Sequence, residues 1–268
     1  MVRNENFKLA NGVEIPKVGY GTWQIRDREE CINGTIWALK AGYRHIDTAA
    51  AYGNEGFIKE ALEKEKIKRE DVFITSKLHA AKKGYDVAIA EFDQTIKNLG
   101  VDYLDLYLIH APKPWGDTSG KDFMPDNIES WKAMEKLYKE GKIKAIGVSN
   151  FSIEDLKTLI AATEIKPMVN QIHLHIGSPN KELSEFCKRE GILVEAYSPL
   201  ATGKIFSNEE IAKIAKKYNV SIAQLCIRWV IQKDMLPLPK STHKDRINEN
   251  INIDFEISKE DMDYLSNL

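Results

Sequence analysis

Residues 72–111 read VFITSKLHAAKKGYDVAIAEFDQTIKNLGVDYLDLYLIHA. Two short apolar runs, VFITSKL and LDLYLIHA, flank a longer segment whose apolar residues recur every three or four positions. Such short runs are typical of buried strands, and the three- to four-residue period predicts an amphipathic helix. A strand, a helix and a second strand in this order predict a βαβ unit, in which the two strands are parallel.

The same alternation extends over the whole chain. Eight strand-like runs are followed by helix-like segments: KVGYG, HIDTA, VFITSKL, LDLYLIHA, AIGVSNF, MVNQIHL, LVEAYSPL and MLPLPKS. Eight units of about 30 residues fit a closed α/β fold, the (β/α)8 TIM barrel, better than an open sheet. Before the barrel, FKLANGVEIP predicts a β-hairpin, because Asn-Gly is favoured in two-residue hairpin turns. SKEDMDYLSNL predicts a short C-terminal helix, and since no linker-like stretch divides the chain, we expect residues 1–268 to form a single domain.

Composition and charge restrict the classes of function. Hydrophobic residues make up 43% of the chain, and the formal net charge of -2 provides no basic surface for nucleic acid or an anionic membrane. The N-terminus has no apolar signal segment, and no apolar run approaches the roughly 18 residues of a membrane span. We therefore expect a cytoplasmic protein that binds a small molecule or another protein. The cysteines Cys31, Cys187 and Cys226 are far apart, which predicts reduced, buried side chains.

Polar side chains stand where the predicted strands end. Asp47, Lys77 and His110 end the second, third and fourth strands, and Tyr52 follows Asp47 closely. In a barrel these strand ends meet at one rim, where barrel enzymes have their active sites. Lys77 can lower the pKa of Tyr52 by stabilising its phenolate, and Asp47 can hold the Lys77 ammonium in place. Because His110 can orient a carbonyl oxygen, the four residues predict a catalytic group that protonates such an oxygen.

A nicotinamide cofactor would complete this chemistry, because a carbonyl that receives a proton must also receive an electron pair. The chain lacks the GxGxxG fingerprint of a dinucleotide-binding fold, so the cofactor would bind at the barrel rim. Ser149, Asn150 and Gln171 can hold the carboxamide, and the ring of Tyr197 can stack on the nicotinamide. The stretch PLPKSTHKDRINEN places cations and polar groups around a predicted helix start, an arrangement that suits a phosphate. These residues are Lys240, Ser241, Thr242, Arg246 and Asn250.

Eight stretches in this order resemble the aldo-keto reductase superfamily over essentially the whole chain: GYGTW, YRHIDTAAAYGNE, ITSKL, DLYLIH, IKAIGVSNF, VNQIHLH, AYSPL and LPKSTHKDRINENI. The chain most resembles prokaryotic members similar to diketogluconate reductases. The resemblance implies an NADP(H)-dependent reduction of aldehydes or ketones to alcohols, with Tyr52 as the proton donor of the tetrad. It implies that Lys240, Ser241 and Arg246 bind the adenosine 2′-phosphate. The resemblance also implies that the cofactor is lined by Gly21, Thr22, Asp47, Ser198, Leu200, Lys204, Glu249 and Asn250, of which the last two would reach the adenine. It further leads us to expect a monomer.

The substrate wall is expected to be aromatic. Trp23 follows the first strand, Tyr52 and His110 form the floor, and Trp115 lies in the loop after the fourth strand. Two positions depart from the family pattern: Ala111 follows the catalytic histidine, where many relatives have Trp, and His173 stands where an acid is usual. The chain also ends soon after its last helix, which predicts an open mouth and relaxed selection among carbonyl substrates.

Other functions fit parts of the pattern. A redox-sensing or regulatory barrel would bind the same cofactor without a dedicated substrate, although the intact tetrad argues against it. A lyase or aldolase could form a Schiff base on Lys77 or Lys240, but it would leave the predicted carboxamide site without a role. His79, His173 and His175 lack the clustered carboxylates that a metal site would add, so we expect no metal.

Overall fold

A computed structural model describes residues 1–268, and its first two strands form the predicted hairpin. Strands β1 (Asn6–Lys8) and β2 (Glu14–Pro16) pair in antiparallel fashion. The turn is longer than the two residues that the sequence predicted: the Leu9 amide donates to the Val13 carbonyl at 2.9 Å, and residues 10–12 turn the chain. Gly12 takes a positive φ of 89° there, which its missing Cβ permits.

Eight parallel strands form one sheet in which each strand pairs with its sequence neighbour. They are β3 (Tyr20–Gly21), β4 (His45–Asp47), β5 (Phe73–Leu78), β6 (Leu104–Ile109), β7 (Ile143–Ser149), β8 (Val169–His173), β9 (Leu193–Tyr197) and β10 (Leu236–Leu238). Two hydrogen bonds join the first strand to the last: Gly19 donates to the Pro237 carbonyl at 3.1 Å, and Gly21 donates to that of Pro239 at 3.0 Å. The sheet therefore closes, and the predicted (β/α)8 barrel is confirmed.

Helices cover the outside of the barrel in the predicted alternation. They are α1 (Arg28–Ala41), α2 (Glu55–Glu65), α3 (Tyr85–Leu99), α4 (Met124–Lys139), α5 (Ile153–Ala162), α6 (Lys181–Glu190), α7 (Glu209–Lys217), α8 (Ile222–Gln232), α9 (Lys244–Asn250) and the C-terminal α10 (Lys259–Leu265). Helix α4 accommodates Pro125 in its first turn, where a missing amide proton costs nothing. No helix combines the length and apolar character needed to cross a lipid bilayer.

The core lies inside the barrel and between the barrel and its helices. Trp131 and Trp229 are fully buried on α4 and α8, in a packing role. All three cysteines are buried and unpaired, as predicted. Gly21 fits its place at the barrel seam because a Cβ there would lie only 3.3 Å from the Leu238 carbonyl oxygen. The seam brings the start and the end of the barrel sequence to one place on the rim.

Candidate active site

A cavity of about 850 Å³ opens at the carboxyl ends of the barrel strands. Its volume lies in the range of small-molecule sites, roughly 300–1,000 Å³. The predicted site residues in its lining are Gly21, Trp23, Asp47, Tyr52, His110, Trp115, Ser149, Asn150, Gln171, Tyr197, Ser198, Leu200, Lys240, Ser241, Thr242, Arg246, Glu249 and Asn250. The fold thus brings residues from strand ends throughout the chain to one cavity.

Three predicted residues are not part of the lining. Lys77 is fully buried beneath the cavity floor, next to Asp47. Thr22 is also buried, and its hydroxyl donates to the Asp47 carbonyl at 2.9 Å, so it supports the strand end from behind. Lys204 is exposed on the 3-10 segment Ala201–Ser207. Gly203, the residue before it, does line the cavity.

The four tetrad residues meet as predicted. The Lys77 ammonium donates to both Asp47 carboxylate oxygens, at 2.7 and 2.9 Å, and to the Thr48 carbonyl at 2.9 Å. The Tyr52 hydroxyl lies 3.4 Å from the same ammonium nitrogen. The rings of Tyr52 and His110 meet edge to face, with centroids 5.5 Å apart. Asp47 and Lys77 come from adjacent strands, β4 and β5, so the sheet itself sets their spacing.

Tyr52 reaches this point through a short 3-10 turn, Ala50–Tyr52, that follows β4. Gly53 ends the turn at a positive φ of 69°, and the buried Asn54 ties it down. The Asn54 amide donates to the carbonyls of Thr22 and Ile25, at 3.0 and 3.1 Å. The small residues of this stretch therefore allow a tight turn, which a buried amide anchors to the loop after β3.

Burial and charge determine the protonation states at this site. Burial raises the pKa of Tyr52, and the opposing effect of the Lys77 charge is smaller, so the net pKa lies above 10.0. The Lys77 charge thus acts in the expected direction, but desolvation of the Tyr52 hydroxyl outweighs it. Burial is the largest single effect on Lys77 and disfavours its charge, but Asp47, with smaller effects of Tyr52 and Glu195, more than offsets it, so the Lys77 pKa is raised. Tyr52 is thus protonated at neutral pH beside a charged lysine.

His110 is neutral at the same pH. Burial, together with the charges of Lys77 and His79, lowers its pKa well below 6.5. Its Nδ1 atom is buried and has no hydrogen-bond partner in the protein. A neutral imidazole has one N–H donor, and a proton on Nδ1 would be left unpaired, so the proton is better placed on Nε2.

The residues predicted to hold a carboxamide form one hydrogen-bonded group. Asn150 donates to the His110 carbonyl at 3.1 Å and to the Ser149 hydroxyl at 3.0 Å. The Tyr197 hydroxyl donates to the Asn150 side-chain oxygen at 2.8 Å, and Ser149 donates to the Gln171 carbonyl at 2.9 Å. Asn150 has a left-handed backbone, with φ 61°, and such strain often accompanies functional sites. These bonds fix the side chains before any ligand is present.

A second part of the cavity carries positive charge. Lys240 and Arg246, both exposed, are the only lysine and arginine side chains in the lining. Ser241 is anchored there, because the Tyr20 hydroxyl donates to its carbonyl at 2.7 Å. Arg246, Glu249 and Asn250 lie on the seven-residue helix α9. Two cations beside a hydroxyl suit an anionic group such as a phosphate.

Aromatic rings stand around His110. Trp115 meets the His110 ring edge to face at 4.8 Å and the His79 ring at 5.3 Å. Trp115 and Trp23 are about half exposed, at 54% and 46%, although both line the cavity. Large apolar rings left partly exposed beside a cavity are available to contact a ligand.

Sequence reasoning missed several lining residues, which are Gln24, Ala51, Pro199, Thr202, Gly203, Phe206, Ser221, Ala223, Leu238, Pro239 and His243. It also missed Glu195, a fully buried carboxyl on β9 that accepts a hydrogen bond from Gln171 at 2.7 Å. A signal for Glu195 was present: an acid inside the apolar run LVEAY, two residues before Tyr197, faces the same side of the strand as that tyrosine.

The histidines considered for metal binding do not form a metal site. His173 and His175 contact each other edge to face at 4.9 Å, and His79 contacts Trp115 instead. No group of three or more His, Cys, Asp and Glu side chains is arranged to hold a metal ion. Nothing in the structure explains why His173 replaces an acid.

Comparisons with known proteins agree with this geometry. The sequence profile described as the aldo/keto reductase family matches residues 17–268. A glyoxal reductase from Bacillus subtilis is 45% identical over 265 residues, covering 98% of this chain and 92% of the relative. The crystal structure of an aldo/keto reductase from Brucella melitensis superposes with a TM-score of 0.91, at 41% identity, over 98% of each chain. A Bombyx mori aldo-keto reductase in complex with NADP superposes with a TM-score of 0.88 at 33% identity, over 98% of this chain and 92% of the other.

Proposed function

The chain belongs to the aldo/keto reductase family, and we propose that it reduces aldehydes or ketones to alcohols with NADPH, using Tyr52 as the general acid. As a member of this family it is an NADP-dependent oxidoreductase. The observation that carries the proposal is the protonated Tyr52 hydroxyl, 3.4 Å from the buried Lys77 ammonium, in one cavity with a polar cluster suited to a carboxamide.

The residues of the cavity fit NADP(H). The side-chain oxygen of Gln171 accepts no hydrogen bond from the protein, so it can accept one from the carboxamide nitrogen. Asn150 and Ser149 would complete the carboxamide site, and Tyr197 would stack on the ring. Lys240 and Arg246 would bind the 2′-phosphate, while Ser241 and Thr242 would add hydroxyl donors. When bound, the nicotinamide supplies hydride to the carbonyl carbon of the substrate.

The protein's own groups then act on the carbonyl oxygen. Neutral His110 donates a hydrogen bond from Nε2 and orients the oxygen. The Tyr52 hydroxyl gives its proton to the same oxygen as negative charge develops there. Lys77 stabilises the phenolate that remains, because its ammonium is held charged and close by Asp47. The raised pKa of Tyr52 keeps the proton available at neutral pH.

We further propose that the substrate is an uncharged carbonyl compound. Lys240 and Arg246 are assigned to the cofactor phosphate, so no cation in the lining is left to pair with a substrate carboxylate. Trp23 and Trp115 offer aromatic surface beside Tyr52 and His110. The relative named as a glyoxal reductase makes small dicarbonyls the first compounds to try.

The test is NADPH oxidation, followed by absorbance, with a panel of carbonyl compounds. The panel contains glyoxal, methylglyoxal, and the matched pair 4-nitrobenzaldehyde and 4-carboxybenzaldehyde. We expect turnover with the uncharged compounds, a lower kcat/KM for the carboxylate, and a preference for NADPH over NADH. Tight NADPH binding without turnover on any member would contradict the proposal and favour the redox-sensing barrel.

A further inference from the structure

Glu195 is a buried carboxyl that the reaction above does not use. It lies on β9 in register with Gln171 on β8, so both side chains point into the barrel. Its Oε2 atom accepts one hydrogen bond, from the Gln171 amide, and its Oε1 atom has no partner at all. Burying a carboxyl with half of its acceptors unpaired opposes folding, so stability alone does not account for this residue.

The Gln171 amide nitrogen is shared between two acids. It donates to Asp47 Oδ2 at 2.9 Å and to Glu195 Oε2 at 2.7 Å. The amide has two N–H donors, and each is taken by one carboxyl group. Asp47 is paired with the Lys77 ammonium and can only accept, so the amide cannot turn its oxygen toward Asp47. The NH2 group of Gln171 therefore faces the two acids.

This orientation leaves the Gln171 side-chain oxygen facing away from the acids. Gln171 lines the cavity, and no group of the protein donates to that oxygen. Burial and the nearby Asp47 charge raise the pKa of Glu195 to about 8, so Glu195 is mostly protonated at neutral pH. Its Oε2 then accepts from Gln171 as a carbonyl-type oxygen, without adding a second full charge beside Asp47.

We propose that Glu195 is a positioning residue that, together with Asp47, locks the Gln171 amide so that its oxygen accepts a hydrogen bond from the cofactor carboxamide. The inference rests on the proposed function, which assigns Gln171 to the carboxamide. Asp47 alone satisfies one N–H, and without Glu195 the second N–H lacks a partner. The amide can then pivot on its bond to Asp47 and point this second N–H into the cavity, where it presents a donor and weakens the preference for a carboxamide NH2.

The test compares NADP⁺ with its 3-acetylpyridine analogue, in which a methyl group replaces the carboxamide NH2. Dissociation constants are measured by calorimetry for the wild type, Glu195→Leu and Glu195→Gln. We expect the wild type to prefer NADP⁺, and Glu195→Leu to raise the Kd of NADP⁺ about tenfold with little change for the analogue. Glu195→Gln keeps an acceptor for the Gln171 amide, so it should retain the wild-type preference.

A matched control separates this effect from general damage. Glu55→Leu removes another buried carboxyl, which bonds Ser76 and Asn98 outside the cavity, and should leave the preference unchanged. If Glu195→Leu does not fold, Glu195→Val provides a smaller replacement that also lacks an acceptor, and the same loss of preference is expected. An unchanged preference in the folded variant, or an equal loss in Glu195→Gln, would overturn the positioning role.

The result also distinguishes this inference from the proposed function. If the wild type turns over carbonyls with NADPH but substitution of Glu195 leaves the preference for NADP⁺ over the analogue unchanged, only the positioning role is overturned. A wild type that binds neither NADP⁺ nor its analogue overturns both. Combining Glu195→Leu with Gln171→Leu should weaken NADP⁺ binding no further than Gln171→Leu alone, because Glu195 acts through Gln171, and an additive loss would contradict that route.

Discussion

The Lys77 ammonium lies 2.7 Å from Asp47 Oδ1, and both side chains are removed from water. A buried ion pair is stable only while both partners are present, because a lone buried charge has lost its solvation. The pair therefore does two things at once: it holds a full positive charge 3.4 Å from Tyr52, and it makes folding depend on that charge.

We expect Lys77→Met to lower the free energy of unfolding by about 3–5 kcal/mol, because Asp47 is left buried without its cation. The double variant Lys77→Met/Asp47→Leu should recover much of this loss, since no unpaired charge remains. Urea unfolding measures both. The control is Lys157→Met, which breaks an exposed pair with Glu154 and should change stability by less than about 1 kcal/mol. A loss of less than about 1 kcal/mol in the free energy of unfolding of Lys77→Met would contradict the prediction.

Tyr52→Phe tests the proposed general acid directly. The ring and its contact with His110 are kept, and only the hydroxyl near Lys77 is removed. We expect kcat to fall at least about 100-fold, while the Kd of NADP⁺ changes less than about twofold, because the proton donor is lost and the cofactor contacts remain. Tyr138→Phe, outside the cavity, should leave both quantities unchanged. Retained turnover in Tyr52→Phe would remove Tyr52 from its proposed role.

Tyr52 also shows what the sequence could predict and what it could not. Strand ends of a parallel barrel meet at one rim, so Asp47, Lys77 and His110 could be brought together from their positions alone. The resulting distances follow from the register of adjacent strands. The net pKa of Tyr52 could not be predicted, because it depends on how completely the ring is buried, and burial is a property of the whole fold.

The hydrogen bonds inside the cavity likewise could not be predicted from the sequence. The choice of Ser149, Asn150 and Gln171 followed from their chemistry, but their bonds to one another depend on side-chain directions at the ends of β7 and β8. Glu195 was overlooked because it lies within an apolar strand, where only a two-residue spacing from Tyr197 marks its face.

Arg246→Met tests the proposed phosphate site. A charge-assisted hydrogen bond contributes about 1.5–3 kcal/mol, so the Kd of NADP⁺ should rise about 10- to 100-fold, while that of NAD⁺ should change much less. Lys240→Met should act in the same direction. Lys244→Met is a matched control, because Lys244 lies on the same helix α9 but not in the cavity lining. An equal rise in the Kd of NADP⁺ and NAD⁺ would mean that Arg246 does not bind the 2′-phosphate.

His45 makes stability depend on pH. It is fully buried on β4 with its Nε2 atom 2.8 Å from the Thr75 hydroxyl, and burial, aided by the Lys77 charge, lowers its pKa to about 3. Between that pKa and the usual value of about 6.5, the unfolded chain binds one more proton than the folded chain. The free energy of unfolding therefore falls as pH falls through this window, by up to about 1.4 kcal/mol per pH unit.

Urea unfolding at pH 7, 6 and 5 tests this dependence. His45→Gln removes the titrating group, so the loss of stability between pH 6 and 5 should be smaller than in the wild type. His243→Gln, at an exposed position, should keep the wild-type slope. Because burial also lowers the pKa of His110, some pH dependence should persist in His45→Gln. Identical slopes for His45→Gln and the wild type would contradict the prediction.

Trp115 should select for aromatic substrates. Its ring lies 4.8 Å from that of His110, and the base of its loop is fixed by Lys83, which donates to the Ala111 carbonyl at 2.9 Å and to Asn127 Oδ1 at 2.6 Å. An aromatic contact adds about 0.5–1.5 kcal/mol, so Trp115→Ala should raise KM for benzaldehydes about 3- to 10-fold and change that for methylglyoxal little. Lys83→Met should shift KM in the same direction, because it releases the loop while keeping the Trp115 ring. An equal effect on both substrates would show instead that Trp115 supports His110 rather than the substrate.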